Sequence, residues 1–166
     1  TTQVIVNPNP TITVNSSTIC SGQSATLVAS GASSYTWNTG ANTNSIVVSP
    51  TSSTNYTVSG TSSGCVSSQT TQVIVTPLPT ITVNSSTICS GQSATLIASG
   101  AVSYTWNTGA TTSSIVVSPL SNTTYTVSGG VVGCTDTKTT QVIVNPNPTI
   151  TVNSSTICSG QSATLI

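Results

Sequence analysis

Few side chains in this sequence of 166 residues are able to do acid–base or nucleophilic chemistry. Asp136 and Lys138 are the only acidic and basic residues, and there is no His. General acid–base catalysis needs groups that titrate near the working pH, and a serine nucleophile needs a base beside it. We therefore expect no enzymatic activity, and we interpret Asp136 and Lys138 as a solvated pair that contributes little to stability.

Ligand classes that depend on charge are disfavoured by the same composition. Calcium sites need clustered carboxylates, and zinc sites use His ligands or closely spaced cysteine pairs. Nucleic acids and anionic membranes need a basic surface, which a chain with one Lys and no other cation does not have. We expect no metal, no other cofactor, no nucleic-acid partner and no membrane insertion of this segment.

The five cysteines are the remaining reactive groups, and their spacing predicts disulfide bonds. Cys20 and Cys65 are 45 residues apart, and Cys89 and Cys134 have the same separation. A crosslink that closes a loop of this length removes about 4 kcal/mol of unfolded-state entropy. We therefore predict the pairs Cys20–Cys65 and Cys89–Cys134, with Cys158 joined to a cysteine beyond the printed sequence. Disulfides indicate an oxidising, extracellular location.

A repeat of 69 residues organises the chain. The stretch PTITVNSSTICSGQSATL begins at Pro10, Pro79 and Pro148, and residues 1–69 and 70–138 differ at 16 positions. A fixed period of this length is typical of an array of similar units. We predict whole domains at 10–78 and 79–147. Residues 1–9 would be the last strand and linker of a preceding repeat, and 148–166 the first strands of a following one.

Each repeat alternates polar and apolar residues with a period of two, which is typical of β-strands. In the first whole repeat this pattern predicts strands at 11–14, 23–30, 34–38, 45–50, 55–60 and 70–75, separated by Gly, Pro, Asn and Ser. No stretch has the period of a helix. The fold class is therefore all-β, a small two-sheet sandwich. The aromatic residues are assigned to the core: Tyr35, Trp37, Tyr56, Tyr104, Trp106 and Tyr125.

The sequence resembles the immunoglobulin-like repeats found in tandem in large surface proteins of Bacteroidota. The resemblance covers the whole chain and is carried by PTITVNSSTICSGQSATL, SYTWNTGA, SIVVSP, a Tyr-Thr-Val strand, and a Gly-Cys pair before the last strand. It implies immunoglobulin-like domains of a secreted or cell-surface protein, often an adhesin. The antibody pattern is not fully kept, because Tyr56 lies nine residues before Cys65 and the cysteines flank turns.

The linkers and the missing charges suggest a structural role. Each linker, such as NPNP at 7–10 and TPLP at 76–79, contains two prolines, which restrict bending and predict a rod-like array. The strands lack the charged residues that usually keep sheet edges apart. We expect either a filament of laterally associated copies or a monomeric stalk. The alternatives are a module that binds ice or glycans through Thr rows (Thr11 and Thr13, Thr80 and Thr82), and a spacer of a secreted enzyme.

Overall fold

The computed structural model describes residues 2–164, and all the regular elements that it assigns there are β-strands. Buried and exposed residues alternate along the strand Ala25–Ser30 and again along its copy in the next repeat, Ala94–Ser99. Because successive side chains of a strand point to opposite faces, one face of each strand joins a core and the other meets water. The all-β prediction is confirmed.

Seven strands form the first whole repeat. They are β1 (Thr13–Val14), β2 (Ser17–Cys20), β3 (Ala25–Ser30), β4 (Ser34–Trp37), β5 (Ser45–Val48), β6 (Thr54–Ser62) and β7 (Cys65–Thr76). One sheet has the order β1-β3-β5 and the other the order β2-β7-β6-β4. The pairs are antiparallel except for β2 and β7, which run parallel.

The second repeat has the same seven strands. They are β8 (Thr82–Val83), β9 (Ser86–Cys89), β10 (Ala94–Ser99), β11 (Ser103–Trp106), β12 (Ser114–Val117), β13 (Thr123–Val131) and β14 (Cys134–Asn145). They form the sheets β8-β10-β12 and β9-β14-β13-β11, and β9 again runs parallel to β14. A three-stranded sheet with a four-stranded one, as in each repeat, is the arrangement of an immunoglobulin-like β-sandwich. The predicted fold class is confirmed.

The core of the first repeat is made from both of its sheets. Leu27 of the three-stranded sheet and Val58 and Val73 of the four-stranded sheet are fully buried in one cluster. The other buried members of that cluster are Ile12, Ile19, Ala25, Ala29, Trp37, Ile46 and Tyr56. All of them lie between residues 12 and 73, so this core is built from a single repeat.

Two compact units can be distinguished among the described residues. The first unit comprises the residues up to Thr80 together with Gly100–Ser103 and Gly129–Asp136. The second comprises Ile81–Ser99, Tyr104–Ser128 and the residues from Thr137 onward. The repeat boundaries at 10, 79 and 148 remain predictions from the sequence.

Strand β2 is the element that the pattern did not predict. It is only four residues long and pairs in parallel with β7, so that Ser17 lies opposite Val73 and Cys20 opposite Thr76. Strand β7 is also longer than the predicted 70–75, because it begins at Cys65. Strand β2 forms by pairing with a strand that is distant in sequence, which local alternation does not reveal. The extension of β7 is the second arm of a tight hairpin with β6, in which Ser62 lies opposite Cys65.

The tight turn between β13 and β14 contains a strained residue, which leads to a first prediction. Val132 has a φ of 48° and Gly133 a φ of 79°, the backbone of a two-residue turn that favours Asn-Gly. A β-branched residue is disfavoured at positive φ, and the Val132 side chain is 79% exposed, so it offers little packing in return. We expect Val132→Asn to raise the free energy of unfolding by about 1 kcal/mol, measured by urea denaturation.

The equivalent turn of the first repeat supplies the control for this substitution. Ser63 and Gly64 have φ values of 49° and 80°, and Ser62 lies opposite Cys65 across the turn. Since Ser is not β-branched, Ser63→Asn should give a smaller gain than Val132→Asn. Equal gains at the two positions would show that strain at Val132 is not the cause.

Candidate functional site

A disulfide bond links Cys20 to Cys134, with 5.6 Å between the two Cα atoms. Cys20 is the last residue of β2 and Cys134 the first residue of β14, and both belong to the first compact unit. Cys134 is 3% exposed. The bond spans 114 residues and joins a cysteine of the first sequence repeat to a cysteine of the second.

The predicted pairs Cys20–Cys65 and Cys89–Cys134 are therefore wrong for this structure. Parallel pairing places Cys20 opposite Thr76, the last residue of β7, whereas Cys65 is the first residue of that strand. Eleven residue steps at about 3.3 Å each separate these strand ends by about 36 Å. A disulfide needs Cα atoms within about 7 Å. Loop-closure entropy depends only on the length of the loop. The spacing argument therefore could not show that Cys20 and Cys65 lie at opposite ends of β7.

The same geometry separates Cys89 from Cys134 in the second repeat. Cys89 lies opposite Asn145 at the end of β14, and Cys134 begins that strand. Three cysteines remain as thiols: Cys65 is half-buried, and Cys89 and Cys158 are exposed. The Cys65 thiol donates a hydrogen bond to the backbone carbonyl of Asn7, at 3.4 Å.

The aromatic residues are placed in or beside the cores of the two repeats. Trp37 and Trp106 are each 2% exposed, and their indole Nε1 groups donate to the backbone carbonyls of Thr43 and Thr112 at 2.8 and 2.9 Å. Tyr56 and Tyr125 are also buried, whereas Tyr35 and Tyr104 are half-buried. The two indole rings are thus hidden from any sugar that would stack on them.

Threonine hydroxyls on the sheet surfaces pair with hydroxyls of neighbouring strands. Thr13 and Thr82 lie 2.7 Å from the hydroxyls of Ser30 and Ser99. Their neighbours in the predicted Thr rows, Thr11 and Thr80, precede β1 and β8 and are exposed. Each of these two short edge strands presents one outward Thr, and its hydroxyl is hydrogen-bonded to the neighbouring strand.

The outward face of each three-stranded sheet carries exposed apolar side chains. In the first repeat these are Val28 on β3 and Val47 on β5, exposed by 46% and 69%. Thr26 pairs with Val47 and Val28 pairs with Ser45, so the two valines are diagonal neighbours on adjacent strands. The copies in the second repeat are Ile97 and Val116, exposed by 57% and 69%. We use the name β-branched patch for this pair of exposed side chains, which is present once in each repeat.

Charged groups are sparse in the structure as in the sequence. Asp136 and Lys138 are both exposed on β14. Within residues 2–164, no three side chains of His, Cys, Asp or Glu gather into a group able to hold a metal ion. The same part of the chain contains no helix with the length and apolarity needed to cross a lipid bilayer.

Comparisons with known proteins find similarity of fold only. No protein-family model matches the sequence, and no curated protein matches it. Among solved structures, a three-Ig fragment of titin is 15% identical over 84% of this chain and 67% of its own, with a TM-score of 0.44. Extracellular domains 3–5 of Drosophila OTK give 13% identity over 86% of this chain and 62% of that one, with a TM-score of 0.44.

A phage protein shows similarity of the same degree. The three N-terminal domains of the highly immunogenic outer capsid protein of bacteriophage RB49 are 21% identical over 82% of this chain and 59% of theirs, with a TM-score of 0.41. The chain thus spans roughly three-fifths to two-thirds of these three solved structures. Such low identities and scores carry no argument about what this chain binds.

The fold and the disulfide together define a general class of protein. Each repeat is an immunoglobulin-like β-sandwich, and its sheets are the same in both copies. A structural disulfide persists where the surroundings are oxidising, which for a mature protein means outside the cytoplasm or on the cell surface. The chain is thus a disulfide-bonded module of the extracellular, immunoglobulin-like class.

Proposed function

We propose that this protein is a structural component of the cell exterior, a repetitive surface filament or adhesin stalk in which copies of the chain associate side by side. Its partner is then a second copy of itself, and the resemblance to surface proteins of Bacteroidota fits this setting. The single observation that carries the proposal is the β-branched patch, which recurs at equivalent positions of both repeats. Two weak contacts that form together bind more tightly than either alone.

Composition supports association through this face. The strands β1, β3 and β5 contain no charged residue, and neither do β8, β10 and β12. The outer strand of each three-stranded sheet has the sequence SIVV and therefore has no Lys or Glu to discourage pairing with another chain. Contiguous exposed apolar surface is a common kind of interaction site, and this supports the choice of the face that carries the β-branched patch.

Lysine substitutions in the β-branched patch test the proposal. We expect the native chain, with its free thiols blocked by alkylation, to associate as its concentration rises in sedimentation equilibrium. The double variant Val47→Lys/Val116→Lys should weaken this association by about a hundredfold or more, because an apolar contact would then have to bury two charges per chain. Electron microscopy should show bundled native chains and separate variant chains.

The control places the same charges on the other sheet. Thr36 on β4 and Thr105 on β11 are exposed residues of the outer strands of the four-stranded sheets. Thr36→Lys/Thr105→Lys adds an equal charge and should leave association largely intact. Lateral association would be contradicted by a native chain that stays monomeric at every concentration, or by equal effects of the two double variants. The first result would leave the stalk as the structural role.

A further inference from the structure

We propose that Cys65 and Cys89 form disulfides of the same type as Cys20–Cys134, and that each pairs with a cysteine of the opposite kind in another repeat of this sequence. The two kinds are defined by position. A strand-end cysteine closes the short parallel strand, as Cys20 and Cys89 do. A hairpin cysteine follows the tight turn and opens the last strand, as Cys65 and Cys134 do.

The surroundings of Cys89 reproduce those of the bonded Cys20. Cys20 lies opposite Thr76 and Cys89 opposite Asn145, its copy one repeat later. The next residue in each case donates its backbone N–H to that partner: Ser21 to Thr76 and Ser90 to Asn145, both at 2.9 Å. Cys89 is exposed, and the backbone around it has the geometry that holds a bonded cysteine in the first repeat.

Space for an incoming chain segment lies next to Cys89. A cavity of about 450 Å³ is lined by Ser90 and Pro146, the neighbours in sequence of Cys89 and Asn145, together with Leu120, Ser121, Asn122 and Val144. The lining carries no charge. The segment that would approach Cys89 is a hairpin turn like Val132–Gly133, which precedes the bonded Cys134.

The surroundings of Cys65 correspond to the hairpin side of the Cys20–Cys134 bond. Its thiol contacts the carbonyl of Asn7, and Asn7 is the copy of Thr76 one repeat earlier. Thr76 is the residue opposite Cys20 in the parallel pair, and Cys20 is bonded to Cys134, the copy of Cys65. A strand-end cysteine that paired opposite Asn7 in the same way would therefore lie beside the Cys65 thiol.

The spacing of the cysteines along the sequence agrees with this pairing rule. The observed bond spans 114 residues, which is one repeat of 69 plus the 45 residues between the two kinds of cysteine within a repeat. In an array of such repeats, each strand-end cysteine reaches the hairpin cysteine 114 residues further on. Adjacent repeats would then be linked covalently throughout, independently of any lateral association through the β-branched patch.

Bond formation needs an oxidant, and a small-molecule disulfide such as glutathione disulfide is sufficient. The Cys65 thiolate attacks one sulfur of the oxidant, forms a mixed disulfide and releases one glutathione thiolate. The thiolate of Cys89 from the other repeat then attacks the protein sulfur of that mixed disulfide and releases the second glutathione. Two protein thiols are oxidised, one glutathione disulfide is reduced to two thiols, and both thiol protons pass to the released thiolates.

Two matched variants test whether the two kinds of cysteine are complementary. Cys65→Ser/Cys158→Ser leaves Cys89 as its free thiol, and Cys89→Ser/Cys158→Ser leaves Cys65, while both keep Cys20–Cys134. Each is incubated alone and mixed with the other in a glutathione redox buffer, and the products are separated on non-reducing gels. We expect the mixture to give a covalent dimer whose peptide map joins Cys65 to Cys89, and the separate samples to give at least tenfold less.

A second arm distinguishes a repeat of the same chain from a repeat of another copy. Residues 70–138 are duplicated in tandem, so that Cys89 has a hairpin cysteine 114 residues further on in its own chain. A monomer with that bond assigns the partner to the same chain, and a Cys65–Cys89 dimer in the mixture shows that a second copy is also accepted. The proposal is overturned if neither arm gives the complementary bond, or if Cys65–Cys65 and Cys89–Cys89 dimers form as readily as the mixed one.

Discussion

Replacing Cys20 with serine is expected to destabilise the protein by about 5 kcal/mol, the entropy that a crosslink closing a loop of this length removes from the unfolded chain. The loop spans 114 residues between Cys20 and Cys134. Thermal unfolding followed by circular dichroism should show a large drop in the midpoint for Cys20→Ser. A similar drop is expected for the native chain in the presence of a reductant.

Other cysteine variants make this result specific. Cys65 and Cys89 are free thiols, so Cys65→Ser and Cys89→Ser should each change the stability of the isolated chain by less than about 0.5 kcal/mol. A loss for Cys65→Ser as large as that for Cys20→Ser would instead indicate a bond within the repeat. It would contradict the pairing in the structure.

Peptide mapping gives the pairing directly. With the thiols blocked and the chain unfolded, chymotrypsin cleaves after Tyr and Trp. Cys20 and Cys134 then lie on separate fragments, and Cys65 and Cys89 lie together on a third fragment between them. We expect the fragment with Cys20 to be joined to the fragment with Cys134, and the middle fragment, 57–104, to be released unlinked. A middle fragment linked to both of the others would reinstate the pairs within each repeat.

Truncating Trp37 to alanine is the second substitution with a large expected effect. The indole is 2% exposed, belongs to the core of the first repeat and donates a hydrogen bond to the carbonyl of Thr43. Replacing a buried Trp by Ala costs about 3–5 kcal/mol. Since a unit of this size has a total stability of only about 5–10 kcal/mol, Trp37→Ala should remove most of the stability of the first repeat.

The second repeat serves as an internal control for this substitution. Trp106 is the only Trp left in Trp37→Ala, so fluorescence during urea denaturation reports on the second repeat, while circular dichroism reports on both. We expect circular dichroism to show an early transition, with the buried emission of Trp106 kept to higher urea. The mirror variant Trp106→Ala should reverse the order. Loss of the Trp106 signal in the early transition would show that the two cores do not unfold separately.

A milder substitution separates cavity formation from loss of the hydrogen bond. Trp37→Phe keeps an aromatic ring in the core and removes the indole N–H that donates to Thr43. We expect it to cost less than Trp37→Ala, because a smaller cavity remains. Equal losses for the two variants would mean that the hydrogen bond dominates over packing.

The local alternation of polar and apolar residues was sufficient to predict most strands of this protein. β3 and its copy β10 were predicted within two residues because alternation of buried and exposed side chains is a property of neighbouring residues. The same signal did not reveal β2, whose four residues become a strand only by pairing with β7. It also did not reveal which residue of Ile46–Val47 faces outward, although that choice creates the β-branched patch.

The repeat is evident when the sequence is compared with itself, and the β-strand content and the sandwich class follow from periodicity and side-chain type within a few residues. The disulfide pairing follows only from the three-dimensional fold. Cys20 and Cys65 are well spaced for a bond within one repeat, but the parallel pairing of β2 with the far end of β7 carries Cys20 away from Cys65. A disulfide forms between sulfurs that are adjacent in space, and that adjacency is set by strand pairing over more than 50 residues.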